Sequence, residues 1–122
     1  MINVAVFVSG GGTNLQALID YEKNTKDCPY HIVLVASNTK KAYALERASK
    51  AGIKAFVRSP VSVLGAELAS KADRDQKREV VSDAMLSLCR EYKADAIVLA
   101  GYLSVLKGAI IEEYKIGRAS CR

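Results

Sequence analysis

An apolar run from Ile2 to Val8 ends in Ser9-Gly10-Gly11-Gly12 and gives way at once to a helical pattern. Valine and isoleucine in such a run describe a strand buried on both faces. Leu15, Leu18 and Ile19 then recur at helical spacing with Asp20, Glu22 and Lys23 outside them, and Thr13-Asn14 offers capping side chains at the start. A doubly buried strand that passes through glycines directly into a helix is the opening of a β-α unit. The chain is thereby steered toward an α/β sheet.

The alternation continues. Asp27-Cys28-Pro29 breaks the first helix, and His31 to Ala36 predicts a second buried strand. Ala42 to Ala51 predicts a helix with Leu45 and Ala48 inward and Gly52 as its stop, and Ile53 to Val57 a weaker third strand. Arg58 to Lys77, with Pro60 and Gly65, reads as an irregular connection holding one short helix near Ala66 to Lys71. Val81, Ala84, Met85, Leu88 and Tyr92 predict a long amphipathic helix leading to a fourth strand over Ala96 to Ala100. The expected fold is a Rossmann-like open sheet, mainly parallel, with right-handed crossovers and helices on both faces. At 122 residues this is one domain, long enough to bury roughly two thirds of its unfolded surface.

Ligands of open sheets bind beyond the carboxyl ends of the strands, which directs attention to Ser9 to Asn14, Ser37 to Lys41 and Gly101 to Leu106. At the first of these, backbone N–H groups and the helix dipole favour an anion, and glycine lets it approach the main chain. A phosphate is the natural ligand; a tight turn without one is the competing reading. No lysine stands in the loop, which excludes the P-loop design. A dinucleotide fingerprint can begin at Gly10 and Gly12, but Leu15 takes its third glycine position, and Ser37-Asn38 stands where an acid should hold the ribose. A phosphate monoester suits the loop better than a pyrophosphate.

The net charge of +5 is spread, with acidic and basic residues alternating along the predicted helices, so no nucleic-acid surface is indicated. Cys28, Cys89 and Cys121 lack CxxC spacing and read as free thiols, with neither a disulfide framework nor a metal site. No run is long enough to cross a bilayer and the start lacks a signal peptide's basic residues, so a cytoplasmic location is expected. His31, the chain's one histidine, falls at the strand end opposite the glycine loop and reads as structural, as do Tyr21, Tyr92 and Tyr114.

Val8-Ser9-Gly10-Gly11-Gly12-Thr13-Asn14-Leu15-Gln16-Ala17 is followed by Ala36-Ser37-Asn38, Leu45-Glu46-Arg47-Ala48, Ala51-Gly52-Ile53 and Ile97-Val98-Leu99-Ala100-Gly101-Tyr102-Leu103. In order and spacing these segments resemble the phosphoribosylglycinamide formyltransferase family over about Ile2 to Val57 and Arg78 to Lys115. The resemblance implies formyl transfer from 10-formyltetrahydrofolate, a co-substrate, to the amine of glycinamide ribonucleotide in purine biosynthesis. It implies substrate phosphate on Gly12, Thr13 and Asn14, where the loop chemistry also puts an anion. It implies folate on Leu103, Ser104, Val105 and Leu106, with Ser104 standing where some members have an arginine. A folate-holding arginine ahead of the long helix is matched best by Arg78, with Arg74 as the competing position.

The family's Asn-Ile-His-Pro-Ser motif and its later aspartate, which polarise the formyl oxygen and manage the proton, have no counterpart in the 122 residues. Residues 1–115 are therefore expected to form an incomplete N-terminal formyltransferase domain without catalytic residues. Residues 116–122 resemble the conceptual translation of a sequencing adapter and are set aside as a non-native tail. The alternatives are a formyltetrahydrofolate deformylase-like hydrolase, which shares the fold, and a non-catalytic nucleotide-phosphate-binding module.

Overall fold

The alternation of side chains along β1 (Ile2–Val8) sends Val4, Val6 and Val8 to one face of a sheet and Ala5 and Phe7 to the other, all of them buried. A strand covered on both faces belongs inside a sheet, and in the computed structural model, which describes residues 2–119, β1 is the middle strand. The five strands run in the order β3-β2-β1-β4-β5, and each neighbouring pair is parallel. The remaining strands are β2 (Tyr30–Ser37), β3 (Ala55–Val57), β4 (Ala96–Ala100) and β5 (Lys115–Ala119).

Helices α1 (Thr13–Asn24) and α2 (Ala44–Lys50) cover the valine face, where Leu15, Ile19, Ala44 and Ala48 meet Val4, Val6, Val8 and Val35. The other face is covered by α5 (Arg74–Glu91) and the short α6 (Ala109–Glu113), through Val81, Met85, Leu86, Leu88, Cys89 and Ile110 against Ala5, Phe7 and Leu34. Each large apolar side chain so enclosed contributes roughly 1.5–3 kcal/mol. The register of β1 against β2 shifts between Val4 and Ala5, skipping Val33, so that Ile32 and Val35 share one face.

Four features differ from the sequence expectation. The second helix begins at Ala44 and turns Ala44 and Ala48 inward, while Leu45 is half-buried; the fully buried Ala44 is the residue of α2 that lies against Gly12 of the glycine loop. Arg58 to Lys77 is not irregular: α3 (Pro60–Leu64) is started by a capping box of Ser59 with Ser62 and a proline at its head, and α4 (Ala66–Lys71) follows as expected. The long helix starts at Arg74, one residue after Asp73, whose carboxylate accepts from the Gln76 N–H at 2.8 Å. Finally, Lys115–Ala119 pairs with β4 as a fifth strand, which runs from the last residue of the expected domain into the stretch set aside as a tail; residues 120–122 lie outside the described residues.

Cys28 and Cys89 are buried free thiols, and Cys121 falls outside the described residues. Burial, with a smaller contribution from the Glu113 charge, pushes the Cys89 thiol up to about 12. Burial likewise raises Tyr30 to about 12, helped by nearby Cys28 and Glu22, while its hydroxyl donates to the Leu18 carbonyl at 2.7 Å. Both groups are neutral in the fold and ionise more readily when unfolded. Their stabilisation is therefore complete below about pH 9 and is lost as pH rises toward 12. Urea midpoints measured from pH 8 to pH 11 are expected to fall progressively, and a flat profile would contradict the burial of both groups.

Candidate functional site

Three loops meet at the carboxyl edge of the sheet, after β1, β2 and β4. The first wraps tightly. Gly12 takes φ +81°, and a Cβ there would stand 2.6 Å from Ala44 Cβ and 2.8 Å from Ala44 Cα, so glycine is required for both conformation and space. Gly10 and Gly11 are different. Neither has a positive φ, and a Cβ on either would meet nothing within 4 Å. Their part of the loop borders open space that packing does not use.

Helix α1 starts at Thr13 with Gly12 in the capping position and no side-chain cap from it, contrary to the expectation that Thr13 or Asn14 caps. No acidic residue occupies its first turn, so the positive end of its dipole is left uncompensated by its own side chains. Thr13 is exposed and Asn14 half-buried at this end. The three residues assigned to phosphate thus stand together at one helix start.

Ser9 ties the loops together. Its hydroxyl donates to Asn38 Oδ1 at 2.6 Å and accepts from the Leu103 N–H at 2.8 Å, joining the ends of β1, β2 and β4. Ser37 is fully buried; its hydroxyl donates to the Thr39 carbonyl at 2.8 Å and accepts from the Thr39 N–H at 3.0 Å, closing the second loop on itself. The position where a dinucleotide site needs a ribose-binding acid is therefore held by an amide already engaged with Ser9.

The residues assigned to folate separate. Leu103 is 85% exposed and Val105 48%, Ser104 is half-buried, and Leu106 is packed in the core beside α5. The segment is anchored at both ends, by Ser9 at Leu103 and by the fully buried Ser82 hydroxyl, which accepts from the Lys107 N–H at 3.0 Å. Tyr102, pushed up by burial, packs its ring 5.8 Å from Phe7. Arg74 and Arg78 both lie inside α5 instead of ahead of it, because the capping box at Asp73 starts the helix earlier than its apolar pattern does. Arg74 is its exposed first residue, and Arg78 stands one turn further on, half-buried. His31 sits at the amino end of β2 paired with Glu22, away from these loops, as expected.

Sequence reasoning placed Ser9 in the first loop and Arg47 in a family segment without a role for either, and missed Ser82 altogether. Arg47 on α2 donates from Nε to the Gly11 carbonyl at 2.7 Å and from Nη1 to Gln16 Oε1 at 3.3 Å. A lone arginine on a short helix carries no local signal of such a bond; the Leu45-Glu46-Arg47-Ala48 segment was the only pointer.

The sequence profile of the formyl transferase family matches residues 2–118, reaching into β5. Phosphoribosylglycinamide formyltransferase of Saccharomyces cerevisiae is 36% identical over 93% of this chain and 54% of its own length. The Dictyostelium discoideum enzyme of that name is 38% identical over 92% of the chain and 52% of its own. Among solved structures, phosphoribosylglycinamide formyltransferase from Brucella melitensis superimposes with TM-score 0.76 at 32% identity, covering 94% of this chain and 54% of that one. Glycinamide ribonucleotide transformylase 1 from Symbiobacterium toebii does so with TM-score 0.77 at 29% identity, over 95% and 50%. The chain spans about half the length of these relatives. With its glycine loop, parallel sheet and sequence profile in agreement, the chain belongs to the formyl transferase family, and within it resembles the phosphoribosylglycinamide formyltransferases.

Proposed function

We propose that this chain is the N-terminal part of an enzyme that transfers a formyl group from 10-formyltetrahydrofolate to glycinamide ribonucleotide in purine biosynthesis. Gly12, Thr13 and Asn14 hold the ribonucleotide phosphate. The exposed Leu103 and Val105, with Ser104, form part of the folate surface, and Arg78 or Arg74 reaches it from α5. Residues downstream of the sheet described above supply the proton transfers, and no metal takes part.

The observation that carries this reading is the open glycine loop at the uncompensated start of α1, within a segment matched throughout by the family profile. A phosphate there gains main-chain N–H donors and the helix dipole together. Calorimetric titration with glycinamide ribonucleotide is the test. Asn14→Ala is expected to weaken binding about tenfold, the scale of one hydrogen bond to a charged group. Equal binding by variant and parent would remove Asn14 from the site and count against the loop as the phosphate cradle.

A further inference from the structure

Gly10 and Gly11 turn their carbonyls the same way. The Gly10 oxygen accepts from the Ala44 N–H at 3.1 Å, and the Gly11 oxygen from Arg47 Nε at 2.7 Å; Ala44 and Arg47 both belong to α2. A trans peptide is planar, with C=O and N–H on opposite sides, and no cis peptide occurs among the described residues. The N–H groups of Gly11 and Gly12, which share peptide units with those two carbonyls, therefore point away from α2. Successive N–H groups aimed to one side make an anion-binding concavity.

Arg47 is itself held in place. Besides the Gly11 carbonyl it reaches Gln16 on α1, and its guanidinium lies 5.0 Å from the centre of the Tyr43 ring. Two helices and an aromatic ring thus fix a donor on the one loop carbonyl that controls the Gly12 N–H. We infer that Arg47 is a positioning residue: it captures the Gly11 carbonyl from behind the loop, and so aims the Gly12 N–H at the phosphate without holding the phosphate itself. This rests on the proposed reading of the loop as a phosphate site.

The test compares glycinamide ribonucleotide with its dephosphorylated ribonucleoside in the whole protein that carries these residues, by calorimetry. The parent is expected to prefer the phosphorylated ligand, and Arg47→Met to lower that preference about tenfold. Simple attraction by the lost charge is screened at about 0.5 M salt, whereas misaimed N–H groups are not, so the loss is expected to persist there. Arg47→Lys, which keeps the charge and one donor, restores part of it. If Arg47→Met does not fold, Arg47→Lys carries the test, with about a threefold loss expected at high salt.

The outcomes separate the two ideas. A parent that binds both ligands equally brings down the phosphate reading and the inference with it. A parent that discriminates, with variants that keep its preference at high salt, leaves the loop reading standing and overturns the role of Arg47. An equal loss for both ligands marks a structural residue and overturns it too.

Discussion

Gly12→Ala is expected to cost about 2 to 6 kcal/mol of stability, a large part of what a domain of this size holds. The backbone there has φ +81°, and the new methyl would stand 2.6 Å from Ala44 Cβ and 2.8 Å from its Cα. Neither atom can swing aside. Ala44 is fully buried and its N–H is bonded to the Gly10 carbonyl, so relief requires α2 to move off the sheet. Gly10→Ala and Gly11→Ala, with open space and no positive φ, are expected to change stability by less than about 1 kcal/mol, because alanine there also restricts the unfolded chain. Urea denaturation of the three variants reads the contrast directly. Similar midpoints for all three would mean that the loop does not pack on α2 as described.

The 122 residues alone are expected to transfer no formyl group above background, at least about 10⁴-fold below the same chain completed with the family's C-terminal half. General acid–base catalysis contributes about 10² to 10⁴ in rate and oxyanion donors a comparable factor. The chain's one histidine is paired with Glu22 at the amino edge of the sheet, the wrong end for a substrate on the glycine loop. An apolar groove of about 340 Å³, lined by Ile2, Val4, Leu18, Val98 and Ile116, also lies open between α1 and β5, and such surfaces promote association. An assay following 10-formyltetrahydrofolate consumption with glycinamide ribonucleotide present decides. Turnover by residues 1–122 would place the chemistry within them and end the proposed division of labour.

Much of this fold is legible in the residue order alone. The strand over Ile2 to Val8, the helix after it and the strand over Ala96 to Ala100 stand at the expected positions because each is declared by its own apolar pattern and a glycine or polar stop. The helices around Pro60 and Arg74 were less legible. Their starts are written in capping pairs, Ser59 with Ser62 and Asp73 with Gln76, which an apolar count passes over. Strand β5 was passed over for another reason: all of it but Lys115 lies in the stretch set aside as a tail, and Lys-Ile-Gly-Arg-Ala takes its strand form from backbone pairing with the edge of β4.

The sequence by itself determined the alternation of strand and helix, the position of the glycine loop and the family to which the chain belongs, since all three reside in local residue order. Only the tertiary structure decided that β1 is central, that Leu106 goes into the core while Leu103 stays outside, and that α2 grips the loop through Ala44 and Arg47. The physical reason is range. Periodicity and capping act over a few residues, whereas the Ser9 hydroxyl meets a backbone N–H 94 positions away and Arg47 a carbonyl 36 positions away. Contacts of that span follow from the order in which the strands pack, and no local pattern in the chain encodes that order.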